Sequence, residues 1–371
     1  MEKIKQLQQD FAKFLANTDF GGQPTELYEP IAYTILQSGK RLRPMLCLLA
    51  CELFGGDENE ALWPALALEP FHNFTLLHDA IMDKAPMRRG KPTVCQKWNA
   101  DIAILSGDAM LAKAFQFALK PQKGAALAQQ LGQVAIEICE GQQMDLNFET
   151  QKTVTIEDYL EMIRLKTAVL LATALQMGAT VANAKEADIQ RLYDFGINLG
   201  MSFQLQDDIL DLYSDVSVFG KRHGGDIADN KKTYLYLKAL EMASEKDRKR
   251  LEQLFALRID HDEAEKIEEV EEIYNRLHVK EAVEQVMLDY DRRAFACLDA
   301  VDWPEERKAH LRTTLNCFQA GRNKKRGSFL RGLFFFRYVV VLISRLSRLC
   351  RLFRPPSQLS WPLCGPSCQL S

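Results

Sequence analysis

The stretch "EADIQRLYDFGINLGMSFQLQDDILDLY", residues 186–213, decides how the rest of the chain is read. Its apolar residues recur at three- and four-residue spacing, the period of a helix with 3.6 residues per turn. Near its end, "FQLQDDILD" sets Asp207 and Asp211 four residues apart, with Asp208 adjacent. A helix turns about 100° per residue, so residues four apart lie on one face. Carboxylates stacked in this way repel each other. An otherwise apolar helix that carries them needs a compensating charge.

The same period dominates the chain on either side. "YEPIAYTILQSG", "ALALEPFHNFTLLHDAIMD", "ADIAILSGDAMLAKAFQFAL", "GAALAQQLGQVAIEICEGQQMDL" and "IEDYLEMIRLKTAVLLATALQMGATVA" all read as helices, and strand signals are sparse. Thr155 before Glu157-Asp158 is a helix start signal, and Gly39, Gly55-Gly56 and Gly220 fall at or near helix ends. No repeat of 20 to 50 residues is evident. The expectation is one all-α domain of about ten or more helices, the central ones apolar on most faces and therefore buried. The more polar "HDEAEKIEEVEEIYNRLHVKEAVEQVMLDYDRR" is expected to form surface helices.

Composition sets limits on function. An apolar share of 47% with 26% charged residues is that of a folded globular protein rather than a disordered one. No signal peptide opens the chain, and the nine cysteines lack framework spacing, so free thiols in the cytoplasm are expected. Cys47 and Cys51, four apart on an apolar run, read as core residues rather than zinc ligands. The net charge of −3 hides an asymmetry: from Arg322 onward there are eight Arg and two Lys with no acidic residue, which leaves −13 on residues 1–321. A body this acidic is not a nucleic-acid binder.

A second carboxylate pair completes the pattern. "LLHDAIMDKAPMRRGKPT", residues 76–93, places Asp79 and Asp83 four apart, followed by Arg88-Arg89. Two such pairs on apolar helices suit Mg²⁺, a hard cation that takes carboxylate oxygens, keeps several waters and completes its shell with phosphate. Basic residues supply the other half: Lys40, Arg41 and Arg43 in "SGKRLRP", Arg88, Arg89 and Lys91, Arg164, Lys166 and Thr167 in "RLKT", and Lys221, Lys231 and Lys232. Arg binds phosphate oxygens bidentately and Lys acts as a point charge. Two polyanionic groups are implied, one bridged by metal and one held by cations directly. His72 lies two turns before Asp79 on the same face.

"GKRLRP", "HDAIMDKAPMRRGKPT", "GQQMDL", "RLKT", "FQLQDDILD" and "FGKRHGGDIADNKKT" resemble, in order and spacing, the motifs of the trans-isoprenyl diphosphate synthases, over roughly residues 1–325. The resemblance implies a bundle of mostly antiparallel helices around a deep central cavity, and usually a homodimer. It implies condensation of isopentenyl diphosphate with an allylic diphosphate: the allylic substrate ionises, isopentenyl carbon attacks the cation, and a proton is lost. By the family pattern Asp79, Asp83, Asp207 and Asp211 carry the metals, three Mg²⁺ per site, with Asp145 nearby. Lys40, Arg43, His72 and Arg89 hold isopentenyl diphosphate, while Arg88, Lys166 and Lys221 hold the allylic diphosphate. Thr167 and Gln204 are placed to stabilise the cation by fixed dipoles. Phe74, with Thr75 beside it, is expected to limit product length, giving farnesyl diphosphate first and geranylgeranyl diphosphate second.

The chain departs from the pattern at Ala80, where the family's first motif carries a second aspartate. The outer pair is intact, so the expectation is an active and slower synthase; the alternative is a regulatory subunit that keeps the fold without the chemistry. A terpene cyclase is disfavoured, because it has no second diphosphate for "GKRLRP" and Arg89 to hold. Residues 326–371 change character altogether. Their apolar run, Leu333 to Ile343, is 11 residues and is broken by Arg337, too short to span a bilayer. A non-native extension is the leading reading, and a basic amphipathic helix on an anionic membrane surface is the other.

Overall fold

The start signal at Thr155 is used as read. Its hydroxyl accepts from the Asp158 amide at 3.0 Å while the Asp158 carboxylate accepts from the Thr155 amide at 3.0 Å, a reciprocal capping box that opens a helix at Ile156. The computed structural model describes residues 2–37, 39, 41–214, 223–256 and 263–320, with side chains as far as residue 313. Lys40, Lys221, Gly220 and the extension 326–371 lie outside the described residues.

In chain order the helices are α1 (Glu2–Asn17), α2 (Thr25–Ile35), α3 (Leu42–Leu53), α4 (Glu58–Met82), α5 (Val94–Lys97), α6 (Ala100–Ala118), α7 (Gly124–Thr150) and α8 (Ile156–Ile163). They continue as α9 (Val169–Val181), α10 (Glu186–Tyr213), α11 (Gly225–Ala228), α12 (Tyr234–Met242), α13 (Glu245–Ala256), α14 (Glu263–Arg276), α15 (Val279–Asp299) and α16 (Glu305–Ala320). The fold is all-α, as the periodicity implies. The exception among the described residues is a hairpin of two short antiparallel strands, β1 (Met87–Arg88) and β2 (Lys91–Pro92).

The apolar faces meet in two clusters. In one, α3 packs on α4 and α9, and α4 on α6, around Leu46, Leu66, Phe71, Leu171 and Phe195. In the other, the end of α10 meets α12 and α15, and α14 packs against both of these, around Leu205, Tyr234, Val270, Tyr274 and Val283. Each fully buried leucine or phenylalanine contributes about 1.5–3 kcal/mol relative to exposure, so these clusters dominate the stability of the bundle. Cys47 and Cys51 lie in the first cluster as free thiols, and burial pushes the Cys51 thiol up to about 12. The polar run near residues 263–293 forms α14 and α15 with one buried face each, through Val270 and Ile273 on α14 and Val283 and Met287 on α15.

Two local departures from regular helix place functional side chains. Between α8 and α9 the chain makes a π turn over Arg164–Ala168, the segment that carries Lys166 and Thr167. Such turns insert a residue into the helix and recur at functional sites. A Cβ on Gly141 would lie 2.5 Å from the Lys166 amide nitrogen, and one on Gly200 would lie 2.4 Å from the Ala168 Cα. Glycine therefore lets α7 and α10 close on this turn. In the hairpin, Arg89 and Gly90 have φ of 52° and 72°, the left-handed pair of a two-residue turn whose twist suits antiparallel strands. That turn presents Arg88 and Arg89 beside the end of α4.

Candidate active site

Both aspartate pairs sit at the C-terminal ends of their helices. Asp79 is in the last turn of α4 and Asp83 caps it; Asp207 and Asp211 lie in the last two turns of α10. The helix dipole places about half a negative charge at such an end, so carboxylates there are disfavoured twice, by each other and by the backbone. The protein sets cations against them. Arg88 Nη2 donates to Asp79 Oδ2 at 2.6 Å. Lys166 Nζ donates to Asp145 Oδ2 at 2.6 Å and lies 3.5 Å from Asp79 Oδ1. Burial works to lower the Lys166 pKa, but Asp145, Asp79 and Asp83 outweigh it and hold the ammonium above its ordinary value. Lys231 behaves alike: burial opposes its charge, and Asp226, Asp83, Asp145 and Asp229 more than restore it. Burial and then the Asp79 charge raise Asp83 above the usual carboxylate range.

The second pair has a buried network behind it. Asp208, 3% exposed, accepts from the Tyr159 hydroxyl at 2.6 Å and from Gln204 Nε2 at 3.1 Å. Thr167 Oγ1 in turn donates to Gln204 Oε1 at 3.0 Å. Burial, with Asp226 and Asp207 adding like charge, pushes Asp208 up to about 7 against those hydrogen bonds. The Asp211 carboxylate accepts from the Asp226 amide at 3.0 Å, which ties the start of α11 to α10. Lys232 Nζ donates to the carbonyls of Phe148 and Gln151 at 2.6 and 2.8 Å, and so anchors the segment that follows α11 and carries Lys231.

The cations expected for isopentenyl diphosphate gather at the start of α3 and in the turn of the hairpin. Arg43 Nη1 donates to His72 Nε2 at 3.1 Å. Desolvation first, and then the charges of Arg43, Arg89, Arg88 and Arg41, hold His72 well below its ordinary pKa, so it is a neutral acceptor at that nitrogen. Arg43 is pushed down to about 10 by burial, against the attraction of Glu69, and is still charged at neutral pH. Phe74 is buried edge-to-face between Phe71 and His78, at 5.1 and 5.6 Å between ring centroids, and the Thr75 hydroxyl donates to the His72 carbonyl at 2.8 Å.

Of the expected residues within the described part, Arg88 and Lys166 meet Asp79, with Asp83 acting on Lys166. Thr167 and Gln204 bond to each other, with Asp207 acting on the Asp208 behind them, and Asp211 meets the start of α11. Arg43 and His72 meet, with Arg89 acting on both, and Phe74 and Thr75 lie on α4 beside His72. Sequence reasoning did not assign roles to Glu69, Tyr159 or Asp208. A lone Glu69 in the apolar run "ALALEPFH" was a readable signal, because a buried charge requires a partner. Tyr159 carried none.

The residues present fit a hard divalent cation. Asp79 Oδ1 is buried without a hydrogen-bond partner, and the donors are carboxylate oxygens gathered at two helix ends. Among the described residues no three metal-ligating side chains converge at one point. Each ion would then be held by one or two carboxylates, with water and phosphate oxygens completing the shell, as Mg²⁺ prefers.

The chain is similar to known proteins in sequence and in fold. The polyprenyl synthetase family pattern matches residues 24–277, and the chain belongs to that family. It is 38% identical over 289 residues to the short chain isoprenyl diphosphate synthase of Methanothermobacter thermautotrophicus, covering 77% of this chain and 88% of that one. It is 41% identical over 223 residues to the geranylgeranyl diphosphate synthase of Methanosarcina mazei, covering 59% of this chain and 69% of that one. A crystal structure of a geranylgeranyl pyrophosphate synthase superposes with a TM-score of 0.81 at 40% identity, over 85% of this chain and 98% of that one. The corresponding enzyme from Pyrococcus horikoshii gives 0.76 at 34% identity, over 85% and 95%.

Proposed function

We propose that this trans-prenyltransferase condenses isopentenyl diphosphate with an allylic diphosphate, dimethylallyl or geranyl and by extension farnesyl, to give a short-chain product. The observation that carries the reading is Lys166 held between Asp79 and Asp145, with Asp83 acting on its charge and the neighbouring Thr167 bonded to Gln204. In this reading residues 1–325 form the catalytic domain, and Asp79, Asp83, Asp207 and Asp211 hold three Mg²⁺. When bound, the ions neutralise charge on the departing diphosphate.

The remaining chemistry belongs to the side chains. Lys166 and Arg88 keep cations where the allylic diphosphate leaves, Lys231 stands as a third, and Lys221 is assigned there by the family pattern. Arg43, neutral His72 and Arg89, with Lys40, hold isopentenyl diphosphate so that its double bond faces the ionising carbon; such orientation supplies a large part of the rate. The oxygens of Thr167 and Gln204 present the negative ends of fixed dipoles to the allylic cation. Attack forms the new carbon–carbon bond, and loss of a proton restores the double bond.

The regulatory-subunit alternative lacks support, since the relatives are named as synthases and both aspartate pairs are present. Those relatives favour geranylgeranyl diphosphate as product over the farnesyl diphosphate expected from Phe74. A homodimer is supported by the exposed Ile104, Leu105 and Ile136 on α6 and α7, which pack against each other. No helix among the described residues is long and apolar enough to cross a membrane; the cytoplasm is proposed from cysteine usage. The test is the full chain with labelled isopentenyl diphosphate, Mg²⁺ and each allylic primer, with products sized. Failure to form any prenyl product sinks the proposal. Phe74→Ala is expected to lengthen the product by at least one isoprene unit, and an unchanged length removes Phe74 from that role.

A further inference from the structure

Glu69 is 4% exposed on α4, three residues before His72, and takes no part in the chemistry above. Arg41 Nη1 donates to Glu69 Oε2. Arg41 Nη2 donates to the carbonyls of Ile35 and Gln37, at 2.5 and 2.8 Å, where α2 ends. The guanidinium fork is therefore used within the protein, which separates Arg41 from the neighbouring phosphate-binding candidates. Arg41 also has φ of 47°, a left-handed conformation that a non-glycine residue keeps only where its surroundings hold it. It directly precedes α3, whose second residue is Arg43.

Electrostatics point the same way. Arg41, Arg43, Arg88 and Arg89 act on one another or on His72 as like charges, and Glu69 is the carboxylate that draws on both Arg43 and Arg89. A buried ion pair stabilises little on its own, whereas a buried charge that loses its partner is strongly disfavoured. The pair is thus better suited to fixing an arrangement than to adding stability.

We propose that the Glu69–Arg41 pair positions the isopentenyl diphosphate subsite, tying the end of α2 and the start of α3 to α4 so that Arg43, His72 and Arg89 face one anion. This rests on the subsite assignment made above. The pair binds no substrate itself and acts through the groups it places.

The test is steady-state kinetics of the full chain with Mg²⁺, varying each diphosphate at saturating levels of the other. Glu69→Gln is expected to raise the KM for isopentenyl diphosphate by about 10- to 100-fold. The allylic KM and kcat are expected to change by less than about threefold, and Glu69→Asp to recover part of the loss. Equal losses in both KM values and kcat, or no change, overturn the proposal. Arg43→Ala separates it from its premise. If that variant leaves the isopentenyl diphosphate KM unchanged, the subsite assignment fails and the proposal with it. If it raises that KM while Glu69→Gln does not, the positioning role alone fails. Should Glu69→Gln not give folded protein by circular dichroism, Arg41→Lys carries the same expectations and the same overturning outcomes, because it keeps the charge and loses the fork.

Discussion

The two aspartate helices differ at one corresponding position. On α10 the middle residue, Asp208, is buried and joined to Tyr159 on α8 and Gln204 one turn earlier. On α4 it is Ala80, also 3% exposed, lining a cavity of about 30 Å³ together with Arg88, Arg89, Asn73 and Thr93. The middle carboxylate of α10 faces the protein rather than the outer pair. Its work is to hold Gln204, and through it Thr167, in place. The α4 site reaches its own cations through the hairpin instead, where Arg88 meets Asp79 directly. A missing middle carboxylate therefore removes support on α4 and leaves both outer aspartates standing.

The sharpest way to break this comparison is to remove an outer aspartate. Asp79→Asn is expected to lower turnover by about 10³-fold or more, the scale of several kcal/mol of lost charge stabilisation. Single-turnover assays at saturating Mg²⁺ check it, and a loss below tenfold would put Asp79 outside the metal set. Asp208→Asn comes next. It is expected to lower kcat by about 10- to 100-fold by loosening Gln204, with the Mg²⁺ requirement nearly unchanged. A shift in Mg²⁺ half-saturation as large as the loss in kcat would make Asp208 a ligand like its neighbours.

Asp208 also gives the metal-free protein a signature. Its folded pKa of about 7 stands above the ordinary 3.8, so between those values the folded state holds a proton that the unfolded chain has lost. Stability is then present in full below about pH 4 and is lost as pH rises through about 7. Denaturant midpoints measured across that range should fall with pH, and Asp208→Asn should flatten the trend. The smallest effect is expected at Ala80. Ala80→Asp places a carboxylate near Arg88 and Arg89, where it is expected to lower the Mg²⁺ half-saturation or raise turnover by up to about tenfold. No change in either would mean that α4 has no need of a middle aspartate.

The helices were legible because long periodic runs report their own burial, and the metal pairs because i,i+4 spacing puts two charges on one face whatever the fold. The hairpin was not legible: two-residue strands carry no alternation, and Arg-Gly is a weak turn signal. The π turn leaves no compositional trace, since it changes hydrogen-bond spacing rather than residue type. Glu69 with Arg41, and Asp208 with Tyr159, are separated by 28 and 49 residues, and only the packing of helices brings them together.

Arg89 holds a backbone conformation in which glycine or asparagine would sit with less strain. A chain selected for thermal endurance alone would drift toward those residues there. Keeping a guanidinium at this corner records a compromise between a durable fold and one able to grip an anion, and any stabilised form of the protein must leave that corner as it is.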